Sequence, residues 1–76
     1  MTQATRELVH NASGKSVTGT YHGVEFTGTV TSTRPNYASW DEIAYIKLAA
    51  PITVFGSERT DLVIDSALID KGLASI

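Results

Sequence analysis

A seven-residue segment, Arg-Pro-Asn-Tyr-Ala-Ser-Trp at residues 34–40, carries the side chains best suited to binding. It combines Arg34 and Asn36 with Tyr37 and with Trp40, the only tryptophan of the chain. Tryptophan, tyrosine and arginine are the residues that most often anchor binding surfaces, and aromatic rings also stack on nucleobases. The segment predicts a ligand- or partner-binding loop. In the alternative, Trp40 folds back to fill one end of a small core while Tyr37 faces outward.

Two residues further along the chain extend this candidate site. Tyr45 and Lys47 lie two positions apart, so on a strand they share a face. With Arg34 and Tyr37 they would form a surface of cations and rings that suits single-stranded DNA or RNA. However, the chain has six Lys and Arg residues against eight Asp and Glu, a net charge of −2, whereas nucleic-acid modules usually show a basic patch. A protein or small molecule is therefore the favoured ligand, and nucleic acid is the alternative.

Catalysis has few residues to draw on. The chain has two histidines, His10 and His22, and no cysteine, so cysteine nucleophiles and cysteine-rich zinc sites are excluded. Asp41 and Glu42 are adjacent, and neighbouring residues of a strand point to opposite faces. We interpret these two carboxylates as a solvated loop end rather than an acid–base couple. The sequence predicts a protein that is not an enzyme and that uses no cofactor and no metal.

The elements that position these residues begin with a β-hairpin. Two strands, Ser16–Tyr21 and Val24 to about Thr33, are joined by a tight turn at His22-Gly23, where glycine tolerates the positive φ of a primed turn. Apolar and polar residues alternate over residues 24–31, and this period of two gives the second strand one apolar face. Gly28 lies on that face, where glycine often marks a bend or a close approach of another backbone.

The rest of the chain alternates strand and turn signals. Pro51 interrupts an apolar stretch and predicts either the end of a strand or a sheet edge. Asp65 or Ser66 offers an N-cap for one or two helical turns that stop at Gly72. The other predicted elements are a loop over 34–42, a strand over 43–49, a strand over 52–55, a polar turn over 57–61, a short buried strand over 62–64 and a last short strand or rim segment over 73–76.

Length and composition limit the organisation of the chain. Its 76 residues predict one small barrel domain over 16–76, preceded by a tail or short helix over 1–15. The polar N-terminus lacks the apolar central region of a signal peptide. The longest apolar run, Leu48–Ile52, is far shorter than the ~20 residues that cross a bilayer. We expect a cytoplasmic protein without a membrane partner.

The order of these elements resembles the small β-barrel shared by SH3-like and Sm-like domains. The segment from Tyr21 to Val30 is similar to the second Sm-type strand, in which two glycines five residues apart, here Gly23 and Gly28, flank an apolar–polar–apolar alternation. The resemblance implies an all-β barrel of five or six strands with a short helical turn near the C-terminus. Compact modules of this kind often occur in phage and plasmid accessory genomes.

The chain departs from the Sm pattern where RNA-binding members carry their polar signatures. Thr33-Arg34-Pro35-Asn36 has no acidic residue in register, and Ile64-Asp65-Ser66 replaces a pair that includes a basic residue. These differences favour a protein or small ligand over RNA. A second resemblance, to the plasmid-borne dihydrofolate reductase that tetramerises around one pore, gives an enzymatic alternative. Its Val-Gln-Ile-Tyr signature is absent, and the nearest segment is Leu62–Asp65.

Self-association is a further expectation. Small barrels leave strand edges unpaired, and pairing between copies removes this liability. The uncharged segment Pro51–Phe55 is the predicted contact. The sequence thus predicts a homo-oligomer that binds through the loop.

Overall fold

The chain forms five antiparallel strands in one sheet, with strand order β4-β3-β2-β1-β5, and two short helices. The structure is a computed structural model that describes residues 3–76, with side chains from residue 5 onward. The elements are α1 (Gln3–His10), β1 (Ser16–Tyr21), β2 (Val24–Asn36), β3 (Asp41–Val54), β4 (Ser57–Asp65), α2 (Ser66–Asp70) and β5 (Ala74–Ser75). Five is the lower of the two predicted strand numbers, and the segment before β1 contains a short helix rather than only a tail.

The first hairpin confirms the alternation that the sequence predicts. β1 pairs with β2 from Ser16 opposite Thr29 to Tyr21 opposite Val24. His22 and Gly23 form the turn with φ angles of 49° and 80°, which is the backbone that a primed two-residue turn requires. Over residues 26–31 of β2, Phe26, Gly28 and Val30 are buried and the threonines between them are exposed. This strand therefore builds one wall of the core.

Gly28 lies in close contact with the backbone of β3. A Cβ atom at this position would lie 2.5 Å from the backbone oxygen of Lys47 and 2.7 Å from Cγ2 of Ile46. Real Cβ atoms do not approach backbone so closely, so only glycine fits without a shift of the strands. The predicted close approach of another backbone at Gly28 is confirmed.

The second hairpin is longer than the sequence predicts. β2 and β3 pair from Gly28 opposite Leu48 to Asn36 opposite Asp41, so the connecting turn is residues 37–40 and not the whole predicted loop over 34–42. Pro35 stands within β2, opposite Glu42. Because the pairing of β1 with β2 begins only at Thr29, β2 has a strand on one side alone at Pro35, and an edge position tolerates a proline.

β3 also continues through the predicted break at Pro51. Its register against β4 shifts between Lys47, which opposes Asp61, and Ile52, which opposes Arg59. The extra β3 residues of this bulge absorb the proline without ending the strand.

The polar segment over 57–61, predicted as a turn, belongs to β4. The turn is Phe55-Gly56, with φ angles of 50° and 76°. The short buried strand predicted over 62–64 is therefore the end of a longer one. Its middle residue, Val63, is 52% exposed, because β4 continues the two-residue alternation.

The core lies between the sheet and the two helices. α1 contributes Val9, and Ala12 follows it into the same cluster. Asp65 caps α2 by accepting a hydrogen bond from the Leu68 backbone N–H at 3.3 Å, and Gly72 ends the turn with a φ of 76°, so the predicted cap and stop are confirmed. The buried apolar residues are Val9, Ala12, Val17, Phe26, Val30, Ala44, Ile46, Leu48, Val54, Leu62, Ile64 and Ala74. Within residues 3–76, no helix is long and apolar enough to cross a membrane.

Candidate functional site

The turn between β2 and β3 is organised by Asn36. Its backbone oxygen accepts a hydrogen bond from the Trp40 backbone N–H at 2.7 Å. Its side-chain oxygen accepts another from the Ala38 N–H at 3.1 Å. An asparagine that bonds to the backbone two residues later is a common way to fix a turn. Asn36 thus sets the conformation of the loop rather than presenting its amide as the main contact.

Tyr37 and Trp40 stand exposed on this turn. Their side chains are 71% and 63% exposed, and their ring centroids lie 6.0 Å apart with the planes at 88°. This is the edge-to-face arrangement that aromatic pairs prefer. The alternative in which Trp40 fills one end of the core is wrong, because Trp40 is exposed, whereas α1 contributes Val9 to the core. We call Tyr37 and Trp40 the aromatic tip.

The aromatic tip is braced from the helix side. Arg6 on α1 donates a hydrogen bond from Nη1 to the Trp40 backbone oxygen at 3.3 Å. At the start of β3, the Asp41 N–H donates to Oγ of Ser39 at 3.4 Å. These bonds act on the backbone and leave both rings free to meet a ligand.

Arg34, Tyr45 and Lys47 form a second group on the outer face of the same hairpin. Cζ of Arg34 lies 5.9 Å from the centroid of the Tyr45 ring, within the range of a cation–π contact. The register explains this contact, since Arg34 opposes Ile43 and is therefore a diagonal neighbour of Tyr45. Lys47 follows two positions later on that face.

A shallow groove of about 500 Å³ runs beside this second group, between β2, β3 and β4. Tyr45 and Lys47 form one side and Asp61 and Val63 the other. Its full lining is Thr31, Tyr45, Ile46, Lys47, Thr60, Asp61, Leu62 and Val63. The acidic Asp61 opposite Lys47 makes the groove mixed in charge, which suits a zwitterionic or polar ligand better than a polyanion.

The structure thus places all six predicted site residues on one hairpin, in two groups. Asn36, Tyr37 and Trp40 lie at its end, whereas Arg34, Tyr45 and Lys47 lie along its outer face.

The interpretation of Glu42 as a solvated loop end is wrong. Glu42 is only 6% exposed, and its Oε2 lies 3.2 Å from Nδ1 of His10 on α1. Its backbone N–H donates to Oγ of the buried Ser66 at 3.0 Å. The signal was present in the sequence, because Glu42 shares the two-residue period of the buried Ala44 and Ile46. This cluster ties α1 and α2 to β3.

A second exposed aromatic group was not predicted. Phe55 is 85% exposed at the turn between β3 and β4, and its ring centroid lies 4.9 Å from that of His22. The Tyr21 ring centroid also lies 4.5 Å from that of the same imidazole. His22 therefore joins the turns of two hairpins, at the opposite end of β3 from the aromatic tip.

The part of the chain that the structure describes holds no cluster of three or more His, Cys, Asp or Glu side chains placed to bind a metal. The fold and the site define a small antiparallel β-sheet protein with exposed aromatic residues on its hairpin turns. Comparisons with protein-family models, with curated proteins and with solved structures find no match to this chain.

Proposed function

We propose that this chain is a non-catalytic binding module of the SH3-like or Sm-like small-barrel type, which self-associates and binds a protein or small ligand through residues 34–40. The barrel type is supported by the strand order β4-β3-β2-β1-β5, by the close approach at Gly28 and by the helical turn of α2 before β5. The observation that carries the binding role is the exposed aromatic pair Tyr37 and Trp40, whose rings contact each other edge to face.

Exposure of this pair is costly unless a ligand covers it. Two large rings in contact with water favour association with another apolar surface, and the fixed turn lowers the entropy that a ligand must overcome on binding. The neighbouring Arg34 and Lys47 supply charge for orientation. A peptide with an apolar side chain flanked by an acidic residue, or a small planar molecule with a carboxylate, fits this combination.

The test compares two exposed aromatic residues at opposite ends of β3. Ligands are selected on the wild-type protein from random peptides displayed on phage and from a pooled fragment library, and their affinities are then measured by calorimetry. Trp40→Ala is expected to weaken binding at least about tenfold, which is typical for removal of an aromatic anchor. Phe55→Ala is the control, because it removes an exposed ring, at 85% against 63% for Trp40, from a hairpin turn outside the site.

Equal losses in the two variants would contradict the proposal, as would ligands whose affinity depends on Phe55 alone. Circular dichroism of both variants checks that the sheet is retained. Failure of either library to yield any ligand at accessible concentrations also counts against the loop as a binding site.

One observation favours the nucleic-acid alternative. Arg34, Tyr45 and Lys47 share one face, with the Arg34 cation over the Tyr45 ring, and cations beside a stacking ring are the elements of single-strand binding. Titration with single-stranded oligothymidine of about 12 nucleotides separates the two functions. Affinity that falls steeply with salt supports phosphate contacts, and no binding at low salt excludes this alternative.

A further inference from the structure

β4 offers the long free edge of the sheet. It pairs with β3 on one side, and within residues 3–76 no strand pairs with its other side. β4 has nine residues, whereas β5, at the opposite edge, has two. An exposed strand of this length presents a row of backbone donors and acceptors that another strand can pair with. The charges along this edge indicate which strand that is.

The edge is complementary in charge to a second copy of itself. Two identical strands that pair antiparallel are related by a two-fold axis perpendicular to the sheet. With this axis at Thr60, residues equally far before and after Thr60 oppose each other. Arg59 then faces Asp61 of the second copy, and Asp61 faces Arg59 of the second copy. Both side chains are exposed in the single chain, and opposite charges directly across a ladder stabilise the pairing.

Neighbouring registers lack this complementarity. Directly opposed residues of an antiparallel pair point to the same face of the sheet, whereas neighbouring residues of one strand point to opposite faces. The two-fold axis must therefore lie at a residue position and not between two residues. The nearest alternative registers centre on Arg59 or on Asp61. The first places two arginines opposite each other, and the second places two aspartates opposite each other. Like charges in directly opposed positions destabilise a ladder. Charge therefore selects the register centred on Thr60.

The same register also covers an exposed apolar side chain. It places Val63, which is 52% exposed in the single chain, opposite Ser57 of the second copy.

We propose that two copies of this chain pair β4 to β4, antiparallel, around a two-fold axis at Thr60. This inference rests on the self-association in the proposed function and specifies its interface. It makes one continuous ten-stranded sheet from two five-stranded ones and uses no residue of the aromatic tip. Each dimer therefore carries two separate ligand-binding loops, which a bivalent partner can engage together.

The absence of cysteine permits a direct test. Directly opposed residues of an antiparallel pair have Cα atoms about 4.5–5.5 Å apart, which lies within the range that a disulfide spans. Thr60→Cys is expected to form a dimer linked through residue 60 under mild oxidation with oxidised glutathione, measured by intact mass without reductant. Thr29→Cys is the matched control, because Thr29 is exposed but lies in a strand that is paired on both sides. Equal cross-linking of the two variants, or none at Thr60→Cys, would overturn the proposal.

Charge reversal provides a second test that does not need a disulfide. Arg59→Asp places aspartates opposite each other and is expected to weaken dimerisation at least about tenfold, measured by analytical ultracentrifugation. The double variant Arg59→Asp with Asp61→Arg restores opposite charges between the copies and should regain part of the affinity, although it also places an arginine opposite Lys47 of the same chain. If the double variant stays as weak as Arg59→Asp, the register is wrong.

One double variant distinguishes failure of the β4 interface from failure of ligand binding at the aromatic tip. Thr60→Cys combined with Trp40→Ala should still cross-link although it no longer binds a loop ligand. Cross-linking that disappears with Trp40→Ala would assign the contact between copies to the aromatic tip and would overturn the β4 interface.

Discussion

Three residues with side chains adopt a positive φ within residues 3–76, namely His22, Trp40 and Phe55. Each stands at the end of a β-hairpin and each carries a ring. Left-handed backbone costs about 1–2 kcal/mol for a residue with a Cβ atom, and burial does not offset this cost for the exposed Trp40 and Phe55. Strained residues of this kind concentrate at sites of function. The strain is shared by all three hairpin turns, so it does not by itself distinguish the aromatic tip from the turn at Phe55.

Replacement of Trp40 tests whether the positive φ at this position lowers the free energy of unfolding of the protein. Trp40→Gly is expected to be more stable than Trp40→Ala by about 0.5–1 kcal/mol, because glycine adopts the positive φ without strain and this gain exceeds its entropic cost in the unfolded chain. Urea denaturation followed by circular dichroism measures the difference. A Trp40→Gly variant that is less stable than Trp40→Ala would show that the turn is not strained.

At the scale of elements, α1 is part of the fold rather than an appendage. It contributes Val9 to the core, and it holds Glu42 through His10 and the aromatic tip through Arg6. An isolated helix of this length is marginal in water, so packing of one face against the sheet is what stabilises it. α1 thereby links the core to the candidate site.

Substitution of two adjacent residues of α1 distinguishes the contribution of core packing to stability from that of helix formation. Val9→Ala is expected to cost about 2 kcal/mol, from lost burial of its methyl groups and the small cavity that remains. Leu8→Ala changes an exposed side chain of the same helix and should cost less than about 0.5 kcal/mol. Thermal and urea unfolding compare the two, and equal losses would mean that α1 does not dock through Val9.

The sequence predicted correctly those elements whose local residue pattern and long-range contacts favour the same structure. β1 has the predicted bounds, and the turn at His22-Gly23 has the predicted backbone, because alternation and turn chemistry act within a few residues. The segment over 34–36 reads as a loop from its proline and asparagine, but cross-strand pairing with β3 extends β2 through it. Long-range pairing of this kind cannot be derived from the turn preferences of one segment.

The candidate site was predicted in its residue types but not in its arrangement. Exposure of Trp40 depends on how α1 fills the core, and the separate position of Arg34 beside Tyr45 depends on the register of the β2–β3 hairpin. The turn at Phe55 was missed because a bulky residue is uncommon at positive φ. Gly56 was the one local signal, since it follows Phe55 as Gly23 follows His22.

At the scale of the whole molecule, two surfaces are left for partners. The aromatic tip lies at the end of the β2–β3 hairpin, and the free edge of β4 lies at the side of the sheet. A chain of this size buries only about 60% of its unfolded surface, so its stability is small and an added interface has a large relative effect. In the two proposals, ligand binding and self-association use different parts of the protein, and each would add to its stability.

The central claim is that the aromatic tip is where this protein meets its ligand. Two-dimensional NMR of the labelled protein, titrated with the selected peptides or fragments, tests it residue by residue. We expect the Trp40 indole N–H and the amides of residues 34–40 to shift first and furthest, with smaller changes at Tyr45 and Lys47. Shifts confined to other parts of the sheet, with the Trp40 signal unmoved at saturation, would contradict the account.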